Sequence, residues 1–251
     1  MLDASFGDGL ALHMRERTFI RGISGVISLP IRTAALLLVL SAGISLAQGT
    51  VSGRVTLQEK PGTKTTDLDN AVVWLESTTP SATRPRPSKV AVEMRARQFA
   101  PHVRVVPVGS TVQFPNQDPF QHNLFSSTPG TLFDLGYYGR GETKDWVFTK
   151  AGAIPVYCNV HARMGAFVVV VPTLLFAQAA ADGRWSIASV PAGRYTLHVW
   201  HERAAEQTQP VTVPATGADV ADAQLDARGF VEGPHKDKLG KDYTGPGQIR
   251  Y

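Results

Sequence analysis

Four side chains able to hold a soft or borderline metal ion stand in order along the chain: His122, then Cys158, His161 and Met164 as C-x2-H-x2-M. Cys158 is the only cysteine in 251 residues. No internal disulfide can form, so the thiol is either inert packing or present for its chemistry. Thiolate favours Cu(I) and imidazole suits Cu(II), so a site built from both serves one-electron exchange. Two histidines and a cysteine, with a weak and long thioether, are the donor set of such a copper site. One cysteine near a histidine is common by chance; all four ligand types in this order are not. Methionine is also a core filler, but its place three residues after His161 favours ligation.

The spacing dictates what must carry these residues. Val156 and Cys158 share one face of a strand, and Cys158 falls at its end. A tight turn must then bring His161 and Met164 back over the same point, before 166–171 (AFVVVV) leaves as the next strand. That run is nearly continuous in apolar character, which predicts a central strand covered on both faces. Beyond residue 48 no helical periodicity is found. Short β-branched and aromatic runs recur between Gly, Pro, Asn and Asp: 51–57, 71–75, 90–97, 111–114, 144–148 and 194–200. Such a pattern predicts an all-β sandwich or barrel. Asp182-Gly183 and Pro191-Ala192-Gly193 read as hairpin turns. Residues 78–89, with three prolines, read as an extended linker, and a second break stands at Pro172-Thr173. Residues 228–251 carry five glycines and two prolines and have too little apolar surface for a core. They are expected as a loose tail or as a cover over the folded part.

Two family resemblances rest on these segments. Residues 49–77 (GTVSGRVTL…NAVVWLES) and 176–202 resemble the carboxypeptidase-regulatory-like, or transthyretin-like, β-sandwich. The marks are Gly53, Val55, Ala71, Val72, Val73, Asp182, Gly183, Trp185, Pro191, Gly193, Tyr195 and Leu197. The text between, PVGSTVQFPNQDPFQHNLFS and VYCNVHARMGAFVVVV, resembles the cupredoxins in G-S-T-V-x-F, N-x-D, H-N and C-x2-H-x2-M. The short ligand loop is closest to amicyanins. The whole arrangement, over about 49–226, resembles bacterial cupredoxins labelled methylamine-utilisation proteins, although nothing here encodes an amine-oxidising site. The expected architecture is a cupredoxin Greek-key β-sandwich (90–172) inserted into a transthyretin-like sandwich (49–79 plus 173–227). Residues 80–89 would be a linker and 228–251 a C-terminal tail. Insertion at an exposed loop tip is tolerated when the ends lie close together.

The cupredoxin resemblance implies one type 1 copper ion. His122 and His161 would bind through ring nitrogens, Cys158 as thiolate and Met164 axially. Asn123 would pin the ligand loop to its neighbour strand by hydrogen bonds. Asn159 would cap the turn and donate a backbone N–H to the sulfur. His102, His198, His201 and His235 have no such framework. Phe120, Phe125, Phe133, Tyr137 and Tyr138 offer a docking patch, with core packing expected for most of them.

Residues 34–46 form a thirteen-residue apolar run, preceded by four arginines and followed by Ser45-Leu46-Ala47. A membrane span needs about 20 such residues. The pattern instead predicts a secretory signal over 1–47, cleaved after Ala47, with Met14 as an alternative start. The mature protein is then periplasmic or secreted and has no stable membrane span. A formal charge of only +4 excludes nucleic-acid binding as the main task. The expected function is a carrier of single electrons between transient redox partners, and not an enzyme. The alternative is a copper-, carbohydrate- or partner-binding structural module. An oxidase or nitrite reductase would need further metal ligands, and the remaining histidines form no cluster in sequence.

Overall fold

A computed structural model describes residues 48–79 and 85–243. The signal segment 1–47, linker residues 80–84 and residues 244–251 lie outside the described residues. Among those described, the chain is all-β, with one turn of 3-10 helix at Leu68–Asn70. In chain order the strands are β1 (Gln48–Gln58), β2 (Val72–Ser77), β3 (Lys89–Ala91), β4 (Glu93–Arg95), β5 (Gln98–Ala100) and β6 (Val103–Pro107). There follow β7 (Ser110–Pro115), β8 (His122–Ser126), β9 (Phe133–Tyr138), β10 (Thr143–Phe148), β11 (Gly152–Cys158) and β12 (Gly165–Val171). The last are β13 (Phe176–Gln178), β14 (Arg184–Pro191), β15 (Gly193–His201), β16 (Ala204–Val213), β17 (Ala218–Asp219) and β18 (Ala223–Asp226). None of the described residues forms a helix long and apolar enough to cross a membrane.

The middle of the chain builds a five-stranded sheet in the order β6-β12-β11-β8-β9, a three-stranded sheet β10-β7-β3 and the hairpin β4-β5. Period-two alternation sends Val112 and Phe114 of β7 and Ile154, Val156 and Cys158 of β11 into one shared core. The two ends of the chain build the other sheets. β1 lies between β14 and β17, with β18 also on β1, and the second order is β13-β2-β15-β16. Their core holds Val51, Val55, Val73, Leu75, Trp185 and Leu197.

A third apolar cluster joins the two bodies. Val72 and Trp74 of β2 and Trp200 of β15 meet Val103 of β6 and Val169 and Val171 of β12. β2 and β12 are therefore buried on both faces, which is why each reads as an unbroken apolar run instead of an alternation.

Two expectations are corrected. The run 90–97 is not one strand. β3 pairs in parallel with β7, and the chain then bends so that β4 folds back on β5. The reversal occurs at Ala96 and Arg97, with φ of 53° and 60°. Pro191-Ala192-Gly193 is not a hairpin turn. β14 pairs with β1 while β15 pairs with β2 and β16, so this turn carries the chain from one sheet to the other. The Tyr195 hydroxyl braces it by donating to the Pro191 carbonyl at 2.8 Å. At Asp182-Gly183 the chain does turn, with the Gly183 N–H donating to Ala180. Gly183 has φ +82°, and a Cβ there would lie 2.1 Å from the Val55 carbonyl oxygen, so only glycine fits.

Candidate metal centre

β8 begins at His122 and β11 ends at Cys158, and the two strands are antiparallel neighbours with Cys158 opposite Leu124. Adjacent strands thus deliver an imidazole and a thiol to one end of one sheet. Beyond Cys158 the chain reverses tightly. The Met164 N–H donates to the His161 carbonyl and the Cys158 N–H to the Met164 carbonyl, both at 3.0 Å. β12 starts at the next residue. His122 and Cys158 are fully buried, Met164 is 1% exposed and His161 is half-buried.

This reversal brings three donor atoms together. The Cys158 Sγ lies 3.3 Å from His122 Nδ1 and 3.6 Å from His161 Nδ1. All three ligating atoms fall within 4.8 Å of one another. An ion bound at about 2.0–2.3 Å to nitrogen and sulfur, at angles from tetrahedral to trigonal, separates such donors by about 3.5–3.7 Å. The residues fit a metal ion of that kind. The Met164 side chain packs in the same core as the Cys158 thiol.

The electrostatics suit a cation. His122 Nε2–H donates to Asp118 Oδ2 at 2.9 Å, which leaves the Nδ1 lone pair facing the sulfur. Asp118 is 4% exposed and also accepts the backbone N–H groups of Ala96 (2.6 Å) and Arg97 (2.9 Å). Burial alone would raise its carboxyl. The hydrogen bonds from Arg97, His122 and Ala96 outweigh it and hold the group below the ordinary carboxylate range. Burial pulls His122 down, against the opposing pull of Asp118. Burial, with His122 and Arg97 nearby, pulls His161 down to about 4. Both imidazoles are therefore neutral at neutral pH. Burial pushes the Cys158 thiol up, against backbone N–H groups that favour the thiolate. With no cation present the sulfur keeps its proton, and a bound metal ion must displace it.

The structure places the supporting residues as follows. The Asn123 carbonyl accepts the Asn159 N–H at 2.7 Å, so loop and strand are pinned through the backbone. The Asn123 side chain instead turns to Asp134 on β9, at 2.5 Å. The Asn159 N–H is thereby used up and does not reach the sulfur. The Val160 N–H does, at 3.4 Å, because two residues beyond Cys158 the turn aims back at Sγ. Phe120 packs on both metal-group histidines, with ring centroids 5.2 Å from His122 and 5.6 Å from His161, and Arg97 lies over its face. Phe125, Phe133 and Tyr138 are buried core residues, whereas Tyr137 is exposed. His102 meets Glu202 and His198 meets Glu206. The fully buried His201 meets the Asp67 carbonyl.

Sequence reasoning missed two features. Asp118 is one, and the N-x-D ahead of His122 was its only signal. The other is which surface the C-terminal segment covers: of the two expectations for it, a loose tail or a cover, residues 235–243 form a cover, and His235, Lys238 and Tyr243 all contact the loop after Cys158.

No protein-family model matches the chain, and no curated protein matches it. Solved structures similar to it are cupredoxins and a copper enzyme. A purple cupredoxin from Nitrosopumilus maritimus is 24% identical over 33% of this chain and 99% of its own, with a TM-score of 0.30. An oxidised amicyanin variant is 22% identical over 36% of this chain and 97% of its own, with a TM-score of 0.32. A copper-containing nitrite reductase from Thermus scotoductus SA-01 is 30% identical over 40% of this chain, with a TM-score of 0.32. The chain spans 26% of that reductase.

Proposed function

We propose that the chain is a type 1 copper protein that carries single electrons between transient redox partners, outside the cytoplasm. One observation carries this reading: a buried thiol flanked by two imidazole nitrogens at 3.3 and 3.6 Å. Copper bound there would supply one-electron exchange between Cu(II) and Cu(I). The chain supplies a cage that need not move. His122 is fixed by Asp118, the Asn159 N–H ties the loop to β8, and the Val160 N–H points at the sulfur. Met164 would be the fourth residue to hold the ion, a role supported by its spacing and burial. A fully buried thiol with a raised pKa is a poor nucleophile, which favours a ligand role over a reactive one.

His161 is the least buried of the four, so its edge is where an electron would enter or leave. Redox encounters of this kind bury under about 1,200 Å². We read the chain as a carrier and not an enzyme, on the resemblance of its C-x2-H-x2-M spacing to the amicyanins. Among the described residues, His122, Cys158 and His161 are the one group of three close enough to share an ion. We also read 49–79 with 173–227 as one transthyretin-like sandwich interrupted by a cupredoxin domain at 90–172. The strand pairing supports this, since β3 to β12 pair among themselves and β1 and β2 pair with β13 to β18.

The test is colour. Exported protein, with Gln48 as its first residue by N-terminal sequencing, should turn intensely coloured with Cu(II) and bleach reversibly on reduction. Cys158→Ala should abolish the band while leaving the fold intact, because no other thiol can replace it and the cavity is small. Full colour in that variant sinks the site. Colour that cannot be reversibly bleached sinks the carrier role and leaves a copper-holding module.

A further inference from the structure

We propose that residues 235–243 form a strap that positions the ligand loop, with His235 as its positioning residue. The inference rests on the copper reading above, but concerns a segment beyond either of the regions that resemble known families.

The segment has little apolar surface, yet its contacts converge on residues 157–162. The His235 N–H donates to the Ala162 carbonyl at 2.8 Å; its ring Nε2 faces the His161 carbonyl at 3.1 Å and its Nδ1 the Lys236 carbonyl at 2.7 Å, so the neutral ring bridges the two and donates to one of them at a time. The same ring stacks on Tyr157, with centroids 4.4 Å apart and planes 21° from parallel, and Tyr243 meets it edge-on. The Lys238 N–H donates to Asn159 Oδ1 at 2.9 Å. The Tyr243 hydroxyl donates to the Cys158 carbonyl at 3.3 Å. Three backbone carbonyls of the loop and one of its side chains are thus held by nine residues of tail.

Two further observations show that this is a built contact. The strap has its own turn, in which Asp237 Oδ1 accepts the N–H groups of Leu239 (2.9 Å) and Lys241 (2.8 Å). That turn directs Tyr243 back to the loop. The strap also reaches the other ligand strand, β8, by way of β9. Lys238 Nζ pairs with Asp134, the same carboxylate that takes the Asn123 side chain next to His122. Both sides of the metal group, β8 and the loop, are tied to one segment. A loop held from outside as well as inside keeps Cys158 and His161 at fixed separation, as a site on a rigid support requires.

Amide hydrogen exchange on the metal-free protein tests the strap without reference to copper. Three chains are compared: the full chain, His235→Ala, and a chain ending at Phe230. In the chain ending at Phe230 the amides of residues 159–164 should exchange about tenfold faster or more, since every hydrogen bond from the strap to the loop is lost, and in His235→Ala, which loses the ring contact and the Tyr157 stack, they should exchange faster by a smaller factor. Amides of β1, β2 and β15 should not change. His235→Gln, which retains a side-chain N–H donor, should recover part of the protection. Loaded with Cu(II), the two strap-deficient chains should show a displaced thiolate charge-transfer band. Unchanged exchange at 159–164, or exchange that rises equally through all sheets, overturns the proposal. If the full chain takes up no Cu(II), the copper reading fails and the exchange result still decides the strap.

Discussion

Behind His122 stands a carboxylate whose position depends on a turn made without glycine. Ala96 and Arg97 both adopt the left-handed region, where L residues pay about 1–2 kcal/mol each, and their N–H groups point at Asp118. The carboxylate offsets that cost and orients the imidazole in the same act. Replacement of Asp118 by Asn should therefore leave the fold and weaken copper binding by about 10–100-fold, the usual cost of losing a ligand's hydrogen-bond partner. Asp118→Ala should also strand the two turn N–H groups and cost about 1–3 kcal/mol of stability. Competition titration with a Cu(I) chelator and thermal unfolding separate the two effects. Wild-type affinity in the Asn variant would remove Asp118 from the site. That His122, Cys158 and His161 come together, with Met164 in the same core, was legible because metal-binding chemistry restricts residue type and three of the four lie within seven residues. Asp118 was not legible as their support. Its other partners stand 22 and 21 residues upstream, in a turn with no Gly or Asn to announce it.

At the scale of strands, β1 and β2 do not pair with each other. β1 finds β14, β17 and β18, and β2 finds β13 and β15. A fragment of 49–79 therefore contains two strands and no sheet, and should be unfolded by circular dichroism. A fragment of 88–172 contains every partner of its own strands, and should fold cooperatively and take up copper with colour. It also exposes Val103, Val169 and Val171, which the rest of the chain covers in the whole protein. The fragment should therefore self-associate as its concentration rises, an effect sedimentation can measure. A cooperatively folded 49–79 would defeat the split-sandwich reading. Most strands were legible from alternation and turn residues, and β12 from its unbroken apolar run. The division of 90–97 and the course of the chain at 191–193 were not. A turn residue shows that the chain bends, but strand partners are chosen by burial across the whole molecule.

Across the molecule, His102 from the middle of the chain meets Glu202 of the β15–β16 turn at 2.8 Å, and Glu202 also takes the Asn70 side chain. The Glu202 hydrogen bond raises the His102 pKa above its ordinary 6.5, against the pull of burial. A raised folded value means the contribution to stability is complete below pH 6.5 and is lost as pH rises through the folded value. The pair is part-exposed, so the effect is well under 1 kcal/mol, or about a degree or two in Tm. Melting curves of wild type and His102→Gln should differ near pH 5.5 and converge by about pH 8.5. A constant gap over that range would mean that His102 acts by packing alone. The pairing pattern also sets an order of assembly. Arg54 and Asp182, bonded in the folded chain, are 128 residues apart in sequence. As the exported chain emerges and folds, β1 and β2 wait without partners while β3 to β12 find theirs nearby, and contacts close in sequence form first. The collapsed middle then brings the two ends together, which lowers the entropy of closing so long a loop. Residues 235–243 follow every strand of the fold in sequence, so the ligand loop stays uncovered, and open to an entering ion, until they have emerged and docked.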